Sequence, residues 1–225
     1  MSTRPRRPDA DDGLFIVGLV GRTGSGKSTV ARALAEDGAV VIEGDALGHD
    51  VTDRDPEVRE ALIAEYGRDI YLADGALDRG RVAARVFSDP GARSRLDRLV
   101  HPGILQRIHA RLERLRREGF RGVVVLDAAL LIEWGLERGC DAVIAVTAPE
   151  PDQIGRLMRS RGWSQEEARH RLGAQRPQEW FSAAADSTLE NRGTPEDLER
   201  DAREGVARLK ARRPTARPAA REEPC

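Results

Sequence analysis

The chain is almost without lysine. Of 37 basic residues among 225, only Lys27 and Lys210 are lysine, and the rest are arginine. Cysteine is just as scarce. Cys140 and Cys225 are the only two, with no Cys-x-x-Cys spacing, which excludes a disulfide framework and a dithiol redox motif. Aromatic residues make up 4% and the net charge is −1, so the sequence lacks the basic field and the basic–aromatic interleaving of a nucleic-acid surface. No apolar run approaches the ~20 residues that span a bilayer. Met1 to Asp12 is polar and mixed in charge, without the apolar segment of a secretory signal. We therefore expect a cytoplasmic protein with no membrane partner and no nucleic-acid partner.

Short apolar runs alternate with helical stretches, the pattern of a parallel sheet with crossover helices. Leu14 to Val20 reads as a fully buried strand, followed by a helix from about Lys27 that stops at Gly38. Further strands are expected at Ala39–Ile42, Gly122–Asp127, Ala142–Thr147 and around Ser187–Leu189. Residues 53–120 are helical and too long for a simple crossover, which suits a subdomain for a second substrate. Within them Asp55-Pro56 and Asp89-Pro90 each read as an N-cap followed by proline, and Pro102 should break or kink the stretch from Gly91 to Arg117. After the fourth strand two arginine-rich helices are expected. Ser164 and Glu167 would form a capping box with Trp163 as a staple, and Thr194-Pro195 would open a last helix. The tails, 1–12 and 211–225, hold too little apolar surface to pack and are expected to be disordered, leaving one domain at 13–210.

One of the two lysines sits in Gly21-Arg22-Thr23-Gly24-Ser25-Gly26-Lys27-Ser28, the Gly-x4-Gly-Lys-Ser spacing of a phosphate-binding loop. Glycines let successive N–H groups turn inward onto phosphate oxygens, and the helix that follows presents its positive end to the same anion. Lys27 is placed to bridge the β- and γ-phosphates of ATP, and Ser28 to ligate Mg²⁺. An ammonium on a thin stem fits where a guanidinium fork would not. Asp127 ends an apolar strand, where such proteins hold Mg²⁺ or its water shell; a turn-capping aspartate is the alternative.

From Gly18-Leu19-Val20-Gly21 through Gly24-Ser25-Gly26-Lys27-Ser28-Thr29, the sequence resembles the dephospho-coenzyme A kinases. Further stretches agree in order and spacing over about residues 14–210. They are Val41 to Asp45, Leu77-Asp78-Arg79, Val86-Phe87, His101-Pro102, and Leu126-Asp127 with Leu130 to Glu133. In the C-terminal part they are Gln153, Arg156, Arg159, Arg161-Gly162, Glu167-Ala168, Arg171, Gln175, Ala185-Asp186 and Asn191. The resemblance implies an α/β P-loop kinase fold with a helical acceptor-binding insert and an arginine-rich lid at about 150–182. It implies transfer of the γ-phosphoryl of ATP, with Mg²⁺, to the ribose 3′-hydroxyl of dephospho-coenzyme A by a monomer or weak homo-oligomer. Gly24, Ser25, Gly26, Lys27, Ser28, Thr29, Arg159 and Arg161 would bind ATP; Ser28 and Asp127 would hold the metal. Asp45, His49, Arg79 and His101 would meet the acceptor, with Asp45, Lys27 and Arg159 catalytic.

Three departures stand out. Arg22 and Thr23 replace a usual glycine and apolar residue, and arginine with a positive φ would cost of order 1 kcal/mol. Ala129 stands where proline is usual, and Phe181 where lysine is. Some residues also have plainer readings. Asp45 could cap a helix beginning near Ala46, His49 could be a surface residue, and His101 could tie down a kink before Pro102. Among 35 arginines, any single lid arginine could belong to a solvated face. The rival functions are a kinase for another small acceptor, such as a nucleoside monophosphate, and a nucleotide-dependent regulatory protein without catalysis.

Overall fold

A computed structural model describes residues 12–89, 91–128 and 130–212, with no statement possible for the side chains of Phe87 and Ser88. The expected tails thus lie outside the described residues apart from Asp12, Ala211 and Arg212. The chain separates into two compact units, one from the segments up to Val41 and from Phe120 onward, the other Ile42–Gly119.

The first unit is built on a five-stranded sheet: β1 (Leu14–Val20), β2 (Val40–Glu43), β3 (Gly122–Asp127), β4 (Ala142–Thr147) and β5 (Ser187–Glu190). Their order is β2-β3-β1-β4-β5, and β1 pairs in parallel with both β3 and β4, as β4 does with β5. All seven residues of β1 are buried, as a central strand covered on both faces requires. On one face Phe15, Val17 and Leu19 pack with Val30, Ala31 and Leu34 of α1 (Lys27–Glu36) and with Leu198, Ala202 and Val206 of α9 (Pro195–Ala211). The helix from β1 leads toward β2 while the connection from β3 leads across to β4. These neighbouring strands therefore part at their carboxyl ends, where open α/β sheets bind ligands.

Three helices, not the two expected, follow β4: α6 (Glu150–Arg161), α7 (Gln165–Gly173) and α8 (Gln178–Ala184). Ser164 caps α7 by accepting from Glu167 N–H at 3.1 Å, but the box is not closed, because the Glu167 carboxylate is taken by Arg171 at 3.2 Å. Trp163 packs on Ile154, Leu157, Ala168 and Leu172 and carries Arg171 over its ring. Phe181 is buried in α8, edge-on to Trp180, so it fills apolar space. Thr194 and Asp197 do form a reciprocal capping box at α9.

The second unit is helical: α2 (Gly44–Arg54), α3 (Pro56–Tyr66), a 3₁₀ turn Arg68–Ile70, α4 (Arg79–Ser88) and α5 (Ala92–Arg117). Asp55 caps α3 ahead of Pro56 as expected. The expected cap at Asp89-Pro90 is not found. Gly91 is the N-cap of α5, Pro90 is outside the described residues, and Asp89 ends α4 while accepting from Gly91 N–H at 2.8 Å. Nor does Pro102 break α5. Val100, Gly103 and Ile104 around it are buried, Gly103 so close to Val51 of α2 that an added Cβ would lie 2.9 Å from its Cγ1. That packing offsets the ~3 kcal/mol a mid-helix proline costs.

The loop before α4 is fastened to α2. Tyr71 donates to Thr52 O at 2.8 Å, Leu77 N–H donates to Asp53 Oδ1 at 3.0 Å, and Arg79 pairs with Asp53 at 3.2 Å. Burial pushes the Asp53 carboxyl up, but Leu77 N–H and the Arg79 guanidinium outweigh it and hold it below the usual aspartate range. A lowered folded-state pKa stabilises above the unfolded value and stops doing so as pH falls through the folded one. Asp53→Asn should therefore be less stable by about 1 kcal/mol at neutral pH, and equal to the parent once both are acidified. Thermal unfolding at the two pH values checks this.

Candidate active site

Gly21 to Ser28 leave the end of β1 and wrap onto the start of α1. Gly24 and Gly26 have φ of +73° and +114°, backbone that side-chain-bearing residues avoid. Space is closed as well, since a Cβ on Gly24 would lie 2.9 Å from Gln153 O and one on Gly26 would strike Asn191 Nδ2. Gly26 caps α1 without a side-chain bond, so the first N–H groups of the helix remain oriented for an anion. Lys27 Nζ lies over the loop, donating to Gly21 O at 2.8 Å and Arg22 O at 3.3 Å. Ser28 is exposed in the first turn of α1, and Asp127 lies opposite Leu19 in the β1–β3 register. Lys27, Ser28 and Asp127 thus stand at the carboxyl edge of the two central strands.

Arg22 carries no strain of the expected kind, because no residue other than glycine has a positive φ among those described. Ala129 lies outside the described residues. The arginines of the expected lid divide. Arg156 turns onto the loop itself, donating to Gly24 O at 3.1 Å, and approaches Ser25 O and Asn191 O at 3.4 Å. It braces the backbone, whereas Arg159 and Arg161 are exposed at the end of α6.

A second brace comes from the end of β5. Asn191 is buried and its Nδ2 donates to Ser25 O at 2.7 Å, while its own N–H donates to Thr147 O. The sequence marked Asn191 only as a point of likeness. Its contact is with a residue far away along the chain, which no local periodicity could reveal. Asn191→Ala would leave the buried Ser25 carbonyl short of a donor, a loss of ~1–3 kcal/mol in stability. ATP binding should weaken by about tenfold in the same variant, a difference that calorimetry resolves.

In the helical unit, Asp45 and His49 are exposed on α2, one turn apart. Asp45 is not a cap. Glu43 holds that position and Asp45 follows in the first turn, where a carboxylate is favoured by the helix end. Arg79 opens α4, paired with Asp53 and approaching Leu77 O at 3.2 Å. His101 is half-buried in α5; burial lowers its pKa and the charge of Asp97, one turn before it, only partly opposes this, so it is neutral at physiological pH.

A family model described as dephospho-CoA kinase matches residues 15–197. The chain belongs to the dephospho-CoA kinase family. It is 42% identical over 185 residues to the dephospho-CoA kinase of Geobacter sulfurreducens, covering 82% of this chain and 93% of that one. With the Thermobifida fusca dephospho-CoA kinase it shares 38% over 187 residues, 83% of this chain and 92% of the other. Among solved structures, TT1252 from Thermus thermophilus superposes with a TM-score of 0.73 at 36% identity, covering 87% of this chain and 98% of that one. The dephospho-CoA kinase from Campylobacter jejuni, at 20% identity and a TM-score of 0.57 over 88% and 98%, shares the fold. Membership of this kinase family makes ATP and a small molecule the substrates.

Proposed function

We propose that the chain transfers the γ-phosphoryl group of ATP to the ribose 3′-hydroxyl of dephospho-coenzyme A, giving coenzyme A and ADP. The observation that carries this reading is the phosphate loop on the central strand, with Lys27 and Ser28 at its end and Asp127 beside it on β3. Gly24 to Thr29 hold the phosphates through backbone N–H groups and the open end of α1, and Lys27 leaves its carbonyl partners for the β- and γ-oxygens. Arg159 and Arg161, exposed on the lid, meet the charge that spreads over the transferred group. In the helical unit Asp45 takes the proton of the attacking hydroxyl, and His49, Arg79 and His101 orient the acceptor.

Among the described residues no three His, Cys, Asp or Glu side chains converge as a metal cage, and Mg²⁺ needs none. The Ser28 hydroxyl and the Asp127 carboxylate are the hard oxygen donors that Mg²⁺ takes from a protein when phosphates and water fill its other positions. When bound, it supplies charge neutralisation on the β- and γ-phosphate oxygens. On this reading the enzyme works in the cytoplasm with small-molecule partners only. Among the described residues no helix is long and apolar enough to cross a membrane.

The test is incubation of the purified protein with Mg-ATP and dephospho-coenzyme A, with nucleoside monophosphates as parallel acceptors, followed by mass spectrometry. Gain of one phosphoryl group by dephospho-coenzyme A alone is expected. Phosphorylation of a monophosphate instead, or no transfer at all, rejects the reading.

A further inference from the structure

Arg22 is an unusual side chain to find inside a phosphate loop. It is only 9% exposed, yet it carries a permanent charge. Its guanidinium reaches two of the three helices that follow β4. Nη2 donates to Leu172 O, in the last turn of α7, at 2.5 Å, and Nη1 pairs with Glu150, the first residue of α6, at 3.3 Å. Nε is buried with no hydrogen-bond partner, so the two terminal nitrogens make the whole attachment. The next residue adds a backbone tie, as Thr23 N–H donates to Gln175 Oε1 at 2.9 Å just beyond α7. On its main-chain side Arg22 offers its carbonyl to Lys27 Nζ.

We infer that Arg22 is a positioning residue that fastens the base of the lid, α7 above all, to the phosphate loop, and thereby sets the affinity for ATP. The energetics favour this. A buried guanidinium is costly unless paired, and here its partners are a carboxylate and the negative end of a helix, where a cation is stabilised. A residue without a side chain at this position could make neither contact. The position tolerates the exchange because its backbone is of the ordinary kind. The tie between lid and loop is therefore made by the Arg22 side chain. Its consequence for ATP rests on the proposed function, while the tie itself does not.

The experiment separates the two. Amide hydrogen exchange is followed in α7 and, as an internal control, in α9, for the parent, Arg22→Gly and Arg22→Lys. ATP affinity is measured by calorimetry on the same proteins without acceptor. Arg22→Gly should speed exchange in α7 about tenfold with α9 unchanged, and weaken ATP about five- to tenfold. Arg22→Lys, which keeps the charge but reaches one acceptor rather than two, should fall between glycine and parent in both readouts. Parent-like exchange in α7 of the glycine variant overturns the tie. Faster exchange with ATP affinity within twofold of the parent overturns its role in binding. If the parent itself binds no ATP, the proposed function fails while the exchange result still decides the tie. Should the glycine variant not fold, the lysine variant carries the test, with α7 exchange equal to the parent's as the overturning result.

Discussion

Lys27→Ala should leave a folded protein that phosphorylates dephospho-coenzyme A about 10³-fold more slowly, equivalent to ~4 kcal/mol of transition-state stabilisation. Lys27 is only half-buried and its ammonium donates to two carbonyls of its own loop, Gly21 O and Arg22 O, so its removal opens no core cavity. On the proposed mechanism, what goes is the positive charge that would meet the β- and γ-phosphate oxygens. No neighbouring lysine is available to substitute, since Lys210 lies in the last turn of α9. Turnover and circular dichroism, recorded on the same preparation, decide the matter. Full activity with an unchanged spectrum would remove Lys27 from the mechanism.

The second large effect is expected at Asp45. A ribose hydroxyl is a poor nucleophile at neutral pH, and a carboxylate that accepts its proton contributes about 10²-fold or more. Asp45→Asn keeps the size and the polarity but not the proton affinity. Because Glu43 occupies the cap position of α2, the exchange costs no cap, and the melting temperature should barely move. We expect kcat to drop about 10²-fold with ATP affinity within a few-fold of the parent. Parent-like turnover of dephospho-coenzyme A by this variant would make Asp45 a bystander, and the search for a base would pass to the other acceptor-side residues. A collapse of ATP affinity instead would point to a misfolded helical unit.

Local signals were the legible ones. The apolar runs at Leu14–Val20, Gly122–Asp127 and Ala142–Thr147 are strands within the stated bounds, because full burial in a parallel sheet leaves an uninterrupted apolar record. Asp55-Pro56, Thr194-Pro195 and the loop from Gly21 to Ser28 are likewise self-contained over a few residues, and each forms as expected. Expectations failed where a distant contact outweighed a local rule. Of the break or kink expected at Pro102, the break does not occur, and the residues buried around it hold α5 as one helix. Glu167 would complete a capping box, but Arg171 competes for its carboxylate. Arg156 looked like one more lid arginine, and only the fold brings it to Gly24 O and Ser25 O. The composition bias itself hid the distinction, because 35 arginines look alike in sequence while a few of them hold the loop.

The bracing of the loop by Asn191 bears on how the protein is made. The phosphate motif is complete once residue 28 has been synthesised, yet the amide that holds Ser25 O belongs to a residue 166 positions beyond Ser25. Arg156 also comes more than a hundred residues after the loop it supports. Contacts this far apart along the chain close late, because the loop entropy must be met before they form. A nascent chain on the ribosome should therefore carry the motif for most of its synthesis without the braces that hold its backbone in place. Products of premature termination before β5 would lack the same brace.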